Sequence, residues 1–282
     1  MNPVLLIVLL FILFIIVMIA VDSNRFVVRT YEVASDKLES DKNLVFLSDL
    51  HGKVYGKNND VLINKIKELK PDHVLIGGDM MTAEPGKSFD AAVDFVKKLK
   101  ENYNPVYALG NHEYRARIYP ERYGTMYSDY ESALKASGIG FVDNGKIELS
   151  GNTDVYGLTL EHTYYRRFKL APMDDGHIES LLGERDKEKF SILLAHNPDY
   201  FDNYALFGAD LVLSGHVHGG VVRIPGFKGV ISPMCKLFPK YDGGQFTKGK
   251  TTMIVSRGLG MHTIPLRLFN PAEIVFIKLK RA

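Results

Sequence analysis

Side chains of the types that bind metal ions occur in five short clusters along the 282-residue chain, each after a short apolar run. The clusters are Asp49-Leu50-His51, Gly78-Asp79, Gly110-Asn111-His112-Glu113, His196 and Gly215-His216-Val217-His218-Gly219. Any one of them alone is typical of a solvated loop or a structural histidine. Their recurrence at five apolar run ends instead predicts one shared polar site.

The mixture of side chains indicates which cations this site would take. Imidazole, carboxylate and amide oxygen together suit manganese, iron or zinc better than magnesium or calcium alone. Seven such ligands are too many for one tetrahedral ion and suit two divalent ions that share a bridge. These ligands are Asp49, His51, Asp79, Asn111, His196, His216 and His218.

The apolar runs have the length and β-branched content of buried strands. They are Leu44–Ser48, Val74–Ile76, Val106–Leu109, Ile192–Ala195 and Leu211–Ser214. Helical spacing fills the gaps between the early runs, at Leu62, Ile66 and Leu69 and again from Phe89 to Leu99. This alternation predicts an α/β layered domain of two packed sheets flanked by helices. Ligands bind at the carboxyl ends of strands in such folds, which is where the polar clusters lie.

The motif order D-x-H, G-D, G-N-H-E, H and G-H-x-H resembles the calcineurin-like metallophosphoesterases. The stretches Ser256–Gly260 and Pro265–Arg267, with Glu273 and Ile274, resemble the membrane-anchored bacterial branch of that family. The resemblance implies a four-layer αββα fold, a two-sheet β-sandwich flanked by helices. It covers nearly all of the chain after residue 42, so we expect one catalytic domain over residues 43–282.

The resemblance also implies a role for each motif position. Asp49, His51 and His218 would hold one metal ion, and Asn111, His196 and His216 the other. Asp79 would bridge the two ions together with a hydroxide, and His112 would be the catalytic residue that donates a proton to the leaving group.

Two positions depart from the family pattern. Many relatives carry an acidic residue three positions after the bridging aspartate, where it orients the catalytic histidine, and this chain has Thr82 there. The anchored branch usually follows G-H-x-H-G-G with glutamine, and this chain has Val221. We expect the metal ligands to survive both changes and the pocket beside them to differ.

Substrate contacts are predicted from basic side chains in or near the motifs. Arg223, Arg257 and His162 are candidate substrate-binding residues, because positive groups hold the non-reacting oxygens of a phosphate. Arg166 and Arg167, after a pair of tyrosines, are further candidates, and His262 is an ambiguous one. For each arginine an ordinary surface position is about as good an explanation.

The N-terminus differs from the rest of the chain. Residues 4–21 are eighteen apolar residues without a charge, which as a helix span roughly 27 Å, about the thickness of a bilayer core. We expect a membrane anchor over residues 1–22, then a juxtamembrane segment and first strand over residues 23–42. A cleaved signal peptide is the alternative, although no basic n-region and no A-x-A site is present. Taken literally, the positive-inside rule applied to Arg25 and Arg29 would place the domain in the cytoplasm, but Asp22 and the small number of charges leave the side of the membrane open.

Composition limits the function classes. The net charge of +2 and the absence of a basic block interleaved with aromatics argue against a nucleic-acid groove. The single cysteine, Cys235, excludes an internal disulfide and a cysteine-based zinc site.

These features predict a membrane-anchored phosphoesterase that cleaves phosphodiester or pyrophosphate bonds, in lipid-linked or nucleotide-like substrates. A phosphomonoesterase or protein phosphatase with the same site is the alternative, and a non-enzymatic scaffold is a remote one because every ligand position is intact. The oligomeric state is left open.

Overall fold

The computed structural model describes residues 2–167, 169–261 and 265–282. Strands in these residues are β1 (Phe26–Ser35), β2 (Lys42–Leu47), β3 (His73–Ile76), β4 (Val106–Ala108), β5 (Phe141–Val142), β6 (Gly145–Leu149), β7 (Thr153–Leu158), β8 (Phe190–Ala195), β9 (Leu211–Ser214), β10 (Val222–Arg223), β11 (Gly229–Ile231), β12 (Gly244–Lys248), β13 (Thr251–Val255) and β14 (Ala272–Arg281). The α-helices are α1 (Pro3–Asn24), α2 (Asp60–Leu69), α3 (Asp90–Lys100), α4 (Asn111–Ile118), α5 (Pro120–Tyr123), α6 (Met126–Lys135), α7 (His177–Leu182) and α8 (Phe201–Phe207), with 3₁₀ turns at His162–Tyr165 and Pro198–Tyr200.

Most of the described strands belong to two mixed six-stranded sheets. The first has the order β1-β14-β2-β3-β4-β5, the second has the order β12-β13-β9-β8-β7-β6, and β10 and β11 form a separate hairpin. Strands β2 to β5 are parallel neighbours, as are β7, β8, β9 and β13. Parallel neighbours need long crossover connections, which α2, α3 and α6 supply in the first sheet.

Strand β2 shows how the layers form. Its side chains alternate, so that Leu44 and Phe46 lie in the apolar cluster between the sheets, while Val45 and Leu47 lie in the cluster under α2, α3 and α6. Strand β8 divides in the same way between the inter-sheet cluster and the one under α7 and α8. Strands buried on both faces appear as continuous apolar runs, as the sequence showed. The predicted four-layer αββα sandwich is confirmed.

The predicted elements differ from the observed ones mainly at their ends. Strand β2 begins at Lys42 and β8 at Phe190, each two residues before the predicted run, because pairing with neighbouring strands extends beyond the continuous apolar stretch. The expected helices are α2 and α3. Asn59 precedes α2, but its side chain accepts a hydrogen bond from the Tyr55 backbone nitrogen rather than capping the helix.

The first and last strands of the described chain lie side by side. Strand β1 pairs in parallel with β14 along its whole length, from Phe26 opposite Ala272 onward. Strand β14 runs antiparallel to β2, with Val275 opposite Phe46. The start of β1, where α1 joins the domain, therefore lies at the same end of the sheet's strands as the carboxyl end of β2.

Candidate metal centre

The eight side chains predicted for the site converge at the carboxyl ends of β2, β3, β4, β8 and β9. A cavity of about 420 Å³ opens there, and six of them line it: His51, Asp79, Asn111, His112, His216 and His218. Asp49 and His196 are buried directly beside these residues. The Nε2 of His196 lies 3.1 Å from Oδ2 of Asp79, and the Nε2 of His218 lies 3.4 Å from Oδ1 of Asp49.

Within the described residues the site contains three groups that could hold a metal ion. In each group the ligand atoms lie within 4.8 Å of one another; the groups are Asp49 with His51 and His218, His51 with Asp79 and His112, and Asp79 with His196 and His216. Asp79 occurs in two of the groups. His51 also occurs in two groups, but Asp79 has two carboxylate oxygens, as a bridging ligand between two ions would need.

The backbone at the site is in an unusual conformation. Five of the predicted ligands have positive φ: Asp49 (54°), His51 (50°), Asp79 (55°), His216 (71°) and His218 (52°). Non-glycine residues seldom adopt this left-handed region, and such strain persists only where the surrounding structure fixes it. The turns after three separate strands thus share one geometry, which points each side chain into the cluster.

Two glycines in the motifs are required by close packing. A Cβ on Gly78, whose φ is +89°, would lie 2.1 Å from the backbone nitrogen of Gly110. A Cβ on Gly215 would lie 2.3 Å from Oδ2 of Asp49. The glycine beside each ligand therefore lets the turns from neighbouring strands approach closely enough to share the site.

The ring orientations of two predicted ligands fix which nitrogen faces the cluster. Nδ1 of His196 lies 2.7 Å from the carbonyl oxygen of Gly77, and Nδ1 of His218 lies 3.3 Å from that of Gly260. A carbonyl only accepts, so Nδ1 carries the proton in both rings. In the neutral form of each ring, Nε2 is then a bare lone pair turned into the site, the form that binds a metal ion.

His112 has the opposite arrangement. Its Nδ1 accepts a hydrogen bond from the backbone N–H of Ala83 at 2.9 Å and lies 3.2 Å from Nη2 of Arg115. Both neighbours are donors, so the neutral ring carries its proton on Nε2, 4.0 Å from Oδ2 of Asp79. A backbone amide thus does the orienting that a carboxylate does in many relatives.

Thr82, which replaces that carboxylate, supports a different ring. Its Oγ1 lies 3.2 Å from Nδ1 of His51 and 3.4 Å from the His51 carbonyl oxygen. The hydroxyl therefore helps to set the orientation of a predicted metal ligand rather than that of His112.

The electrostatics of the site favour a cation. Burial alone would lower the pKa of His196, but Asp79 and Asp49 raise it to about 10. Burial would raise the pKa of Asp79, but His196, His112 and His51 hold it well below its usual range. The two carboxylates thus stabilise a positive charge at the position of His196, and a bound metal ion would provide that positive charge.

The residues present fit a divalent cation. In the described part of the chain, Oδ1 of Asn111 is buried without a hydrogen-bond partner, although buried polar atoms are nearly always paired. A carbonyl-type oxygen directed at a cluster of imidazoles and carboxylates is a suitable ligand for a borderline metal ion.

Glu113, the last residue of the G-N-H-E motif, holds the site together. Its carboxylate accepts hydrogen bonds from the backbone nitrogens of Asp79 and Met80, both at 2.8 Å, and from that of Gly110 at 3.1 Å. The Tyr107 hydroxyl donates a further one at 2.9 Å. Burial and, as the next largest cause, repulsion from the Asp79 carboxylate raise the pKa of Glu113. The motif contained this residue, but only the structure shows that it connects the turns after β3 and β4.

The predicted substrate-binding residues separate into two groups. His162 lines the cavity, as do Arg166 and Arg167. The structure does not bring Arg223 or Arg257 to it, because their guanidinium groups are drawn into ion pairs with Asp242 and Glu273. Arg115, which sequence reasoning missed, lines the cavity beside His112; its place one helical turn after that histidine was the available signal. His262 lies outside the described residues.

Known proteins are similar to this chain over most of its length. Residues 42–220 match the family described as calcineurin-like phosphoesterase. An uncharacterized metallophosphoesterase of Campylobacter jejuni is 32% identical over 260 residues, which are 90% of this chain and 63% of that protein. The uncharacterized metallophosphoesterase YkuE of Bacillus subtilis is 29% identical over 245 residues, 84% of this chain and 78% of that protein.

Two further similarities are more distant. A Bos taurus protein named transmembrane protein with metallophosphoesterase domain is 27% identical over 270 residues, 90% of this chain and 57% of that protein. The solved structure of Haemophilus influenzae NAD nucleotidase gives a TM-score of 0.49 at 13% identity, over 78% of this chain and 45% of that one. The chain spans 63% and 61% of the Campylobacter jejuni and Helicobacter pylori relatives. From the match over residues 42–220, more than half of its length, we conclude that the chain belongs to the calcineurin-like phosphoesterase family.

Proposed function

We propose that the chain is a metal-dependent hydrolase of phosphodiester or pyrophosphate bonds that uses two divalent cations. The main support is the convergence of two carboxylates and several imidazoles from five strand ends. The ring tautomers suit metal ligands at His196 and His218 and a proton donor at His112. Membership of a phosphoesterase family agrees with that chemistry.

Two of the three groups, Asp49 with His51 and His218 and Asp79 with His196 and His216, support the assignment expected from the motifs. One cation would be held by Asp49, His51 and His218, the other by Asn111, His196 and His216, with Asp79 between them. When bound, such a pair of ions, drawn from manganese, iron or zinc, lowers the pKa of a water molecule and neutralises charge on the phosphoryl oxygens. The side chains hold that position in a fixed geometry, which limits reorganisation during the reaction.

We assign His112 to the leaving-group side of the reaction. Its neutral ring presents Nε2–H to the cavity, where that proton can be donated in a hydrogen bond to the departing oxygen. Arg115, Arg166 and Arg167 line the same cavity and would bind the non-reacting phosphate oxygens.

An adjoining groove favours a substrate with an apolar part. A cavity of about 500 Å³ shares Tyr165, Arg166, Arg167, His216 and Met234 with the metal cavity. It extends past Tyr164, Leu170, Val217 and Leu237. A phosphoester bound at the cluster would extend an attached chain along this groove, which supports lipid-linked substrates over nucleotide-like ones.

Helix α1 supports a single-pass anchor. It has 22 residues and is long and apolar enough to cross a membrane by length and composition. Its end is joined to the domain: the backbone nitrogen of Arg267 donates to Oγ of Ser23 at 3.0 Å, and that of Asn270 to Oδ2 of Asp22 at 3.2 Å. Cleavage after Ser23 would remove these buried partners, and we propose that the helix is retained.

The test is hydrolysis by the detergent-solubilised full chain after metal removal and reloading. We expect manganese to restore cleavage of bis-p-nitrophenyl phosphate, with two metal equivalents measured on the same sample. Faster cleavage of p-nitrophenyl phosphate at equal concentration would favour the monoesterase alternative. No turnover with manganese, iron or zinc would refute the proposal and favour the scaffold.

A further inference from the structure

Helix α1 does not leave the domain freely, because its second half lies against the domain surface. Ile15, Met18 and Ile19 are half-buried and Asp22 is fully buried, while the residues between them are exposed. The spacing i, i+3, i+4 and i+7 is that of one helical face. This face is therefore covered by protein well inside the apolar span.

The covering segment is the chain before β14. The rings of Phe14 and Phe269 lie 6.3 Å apart, and Leu266 and Leu268 in the same segment are half-buried. Phe14 precedes Val21, the last apolar residue of the span, by seven residues. At the α-helical rise this is about 10 Å. If the span lies in hydrocarbon, the surface around Phe269 also lies at the membrane.

The β10–β11 hairpin adjoins that surface. The backbone nitrogen of Arg223 donates to the Leu268 carbonyl oxygen at 3.0 Å, and the backbone nitrogen of Leu268 donates to the Val221 carbonyl oxygen at 3.2 Å. The hairpin tip exposes Ile224 (47%) and Phe227 (62%).

The turn that follows β11 exposes two more large apolar side chains, Leu237 (64%) and Phe238 (53%). Its backbone is held to the hairpin, since the Phe238 nitrogen donates to the Val230 carbonyl oxygen at 2.9 Å. Among described residues outside α1, other exposed large apolar side chains are scattered singly along the sequence, as on an ordinary surface. Ile224, Phe227, Leu237 and Phe238, here named the apolar face, instead fall within fifteen residues.

Basic residues flank the apolar face in the sequence, and one of them is paired with an acidic side chain from another segment: Nζ of Lys236 lies 3.1 Å from Oδ2 of Asp199. From Val221 to Tyr241 the sequence contains four basic residues and no acidic one. Arg223 is buried, whereas Lys228, Lys236 and Lys240 are exposed. Exposed apolar side chains with exposed lysines beside them in the chain match the interface of a bilayer that contains anionic lipids.

We propose that the apolar face inserts into the bilayer that α1 spans and forms a second membrane contact. This inference depends on the anchor under the proposed function. Pro233 and Met234, in the chain between Ile231 and Leu237, line the metal cavity. The contact therefore places the mouth of the cavity at the lipid surface, where a lipid-linked phosphoester can enter without leaving the membrane.

The single cysteine makes the contact measurable. Cys235 is exposed next to the apolar face and can carry a polarity-sensitive fluorophore in the full chain. The protein would be reconstituted in vesicles of equal parts phosphatidylcholine and phosphatidylglycerol, with and without lipids brominated in the acyl chains. The matched control is the double variant Cys235→Ser, Ser40→Cys. It places the label just before β2, at the end of the strands opposite to the metal site.

We expect a blue-shifted emission at Cys235 and quenching by brominated lipid several-fold stronger than at the control position. Phe227→Ser and Leu237→Ser should weaken that quenching, whereas Leu206→Ser, at an equally exposed leucine (62%) on α8, should not. Equal quenching by brominated lipid at the two label positions would overturn the proposal. Strong quenching by aqueous iodide at Cys235 would also overturn it, because it would show that the face is open to water and free to bind a soluble protein instead.

Two measurements on the same vesicles separate this inference from the proposed function. Resistance to alkaline extraction reports the α1 anchor alone. Hydrolysis of water-soluble bis-p-nitrophenyl phosphate reports the metal site alone, and we expect Phe227→Ser to leave it unchanged. A retained, active protein with no difference in quenching refutes the second membrane contact without affecting the proposed function.

Discussion

The backbone N–H of Ala83 donates a hydrogen bond to Nδ1 of His112 across 2.9 Å, and this contact sets the tautomer of the ring. Ala83 directly follows Thr82, the position at which many relatives carry an acidic residue. The turn after β3 thus orients the histidine through an amide donor, at the place where the family pattern leads us to expect a carboxylate acceptor.

Ala83→Pro tests that contact, because proline has no N–H to donate. We expect kcat for bis-p-nitrophenyl phosphate to fall on the order of 10–100-fold, as for loss of other orienting partners, with bound metal unchanged. Ala83→Gly keeps the N–H and should retain most of the parent rate. A folded, metal-loaded Ala83→Pro protein with the parent kcat would show that the contact has no part in orienting His112.

Thr82→Val removes the hydroxyl beside Nδ1 of His51 with little change in volume. Because the ring then loses its orienting partner, the metal affinity should fall about 10–100-fold, while kcat at saturating metal changes less. Manganese titration followed by activity measures both values. Thr82→Ser, which keeps the hydroxyl, is the control, and equal affinities for the valine and serine variants would contradict this role.

His196 should make the metal-free protein less stable as the pH rises. Its pKa is raised from 6.5 to about 10 in the folded state, so the folded protein holds a proton that the unfolded chain has released. The stabilisation is complete below pH 6.5 and is lost as the pH rises toward 10. Thermal unfolding of chelator-treated protein over this range should show a falling Tm.

His196→Gln should flatten that dependence, since the substituted side chain does not titrate. Metal binding must displace the same proton, so manganese uptake at pH 8 should release protons, which calorimetry in buffers of different ionisation enthalpy detects. A Tm in the metal-free parent that rises between pH 6.5 and 10 would contradict the assigned charge state.

Arg267 should be essential for the shape of the site although it is not a ligand. Its buried guanidinium donates to carbonyl oxygens that include those of Gly260 at 2.6 Å and Arg257 at 2.8 Å. Lysine has one ammonium group and cannot reproduce these directions. Arg267→Lys should lower the free energy of unfolding by about 3 kcal/mol, because buried carbonyls lose their donors.

Chemical denaturation of the detergent-solubilised protein, followed by tyrosine fluorescence, measures this loss. Arg281→Lys changes an exposed arginine at the end of β14 and serves as the matched control. Because Nδ1 of His218 contacts the Gly260 carbonyl oxygen, Arg267→Lys should also reduce the bound metal. Parent stability and metal content in this variant would refute the role of Arg267 in supporting the site.

The sequence by itself determined the layers of the fold and the residues of the candidate site. Strands buried on both faces must consist of continuous apolar residues, so β2, β3, β4, β8 and β9 were visible from hydrophobicity alone. Metal ligands need particular side-chain types at strand ends, so the histidines, aspartates and asparagine were visible from residue identity. Both features are local in the chain.

The tertiary structure decided what depends on contacts between distant segments. The left-handed backbone at Asp49, the support of His51 by Thr82 and the ring tautomer of His112 arise where turns from different strands meet. The same is true of Arg223, which its motif placed near the substrate and which packing turns toward Asp242 instead. A sequence motif gives the side chain, whereas the direction of its hydrogen bonds is set by residues far away in the chain.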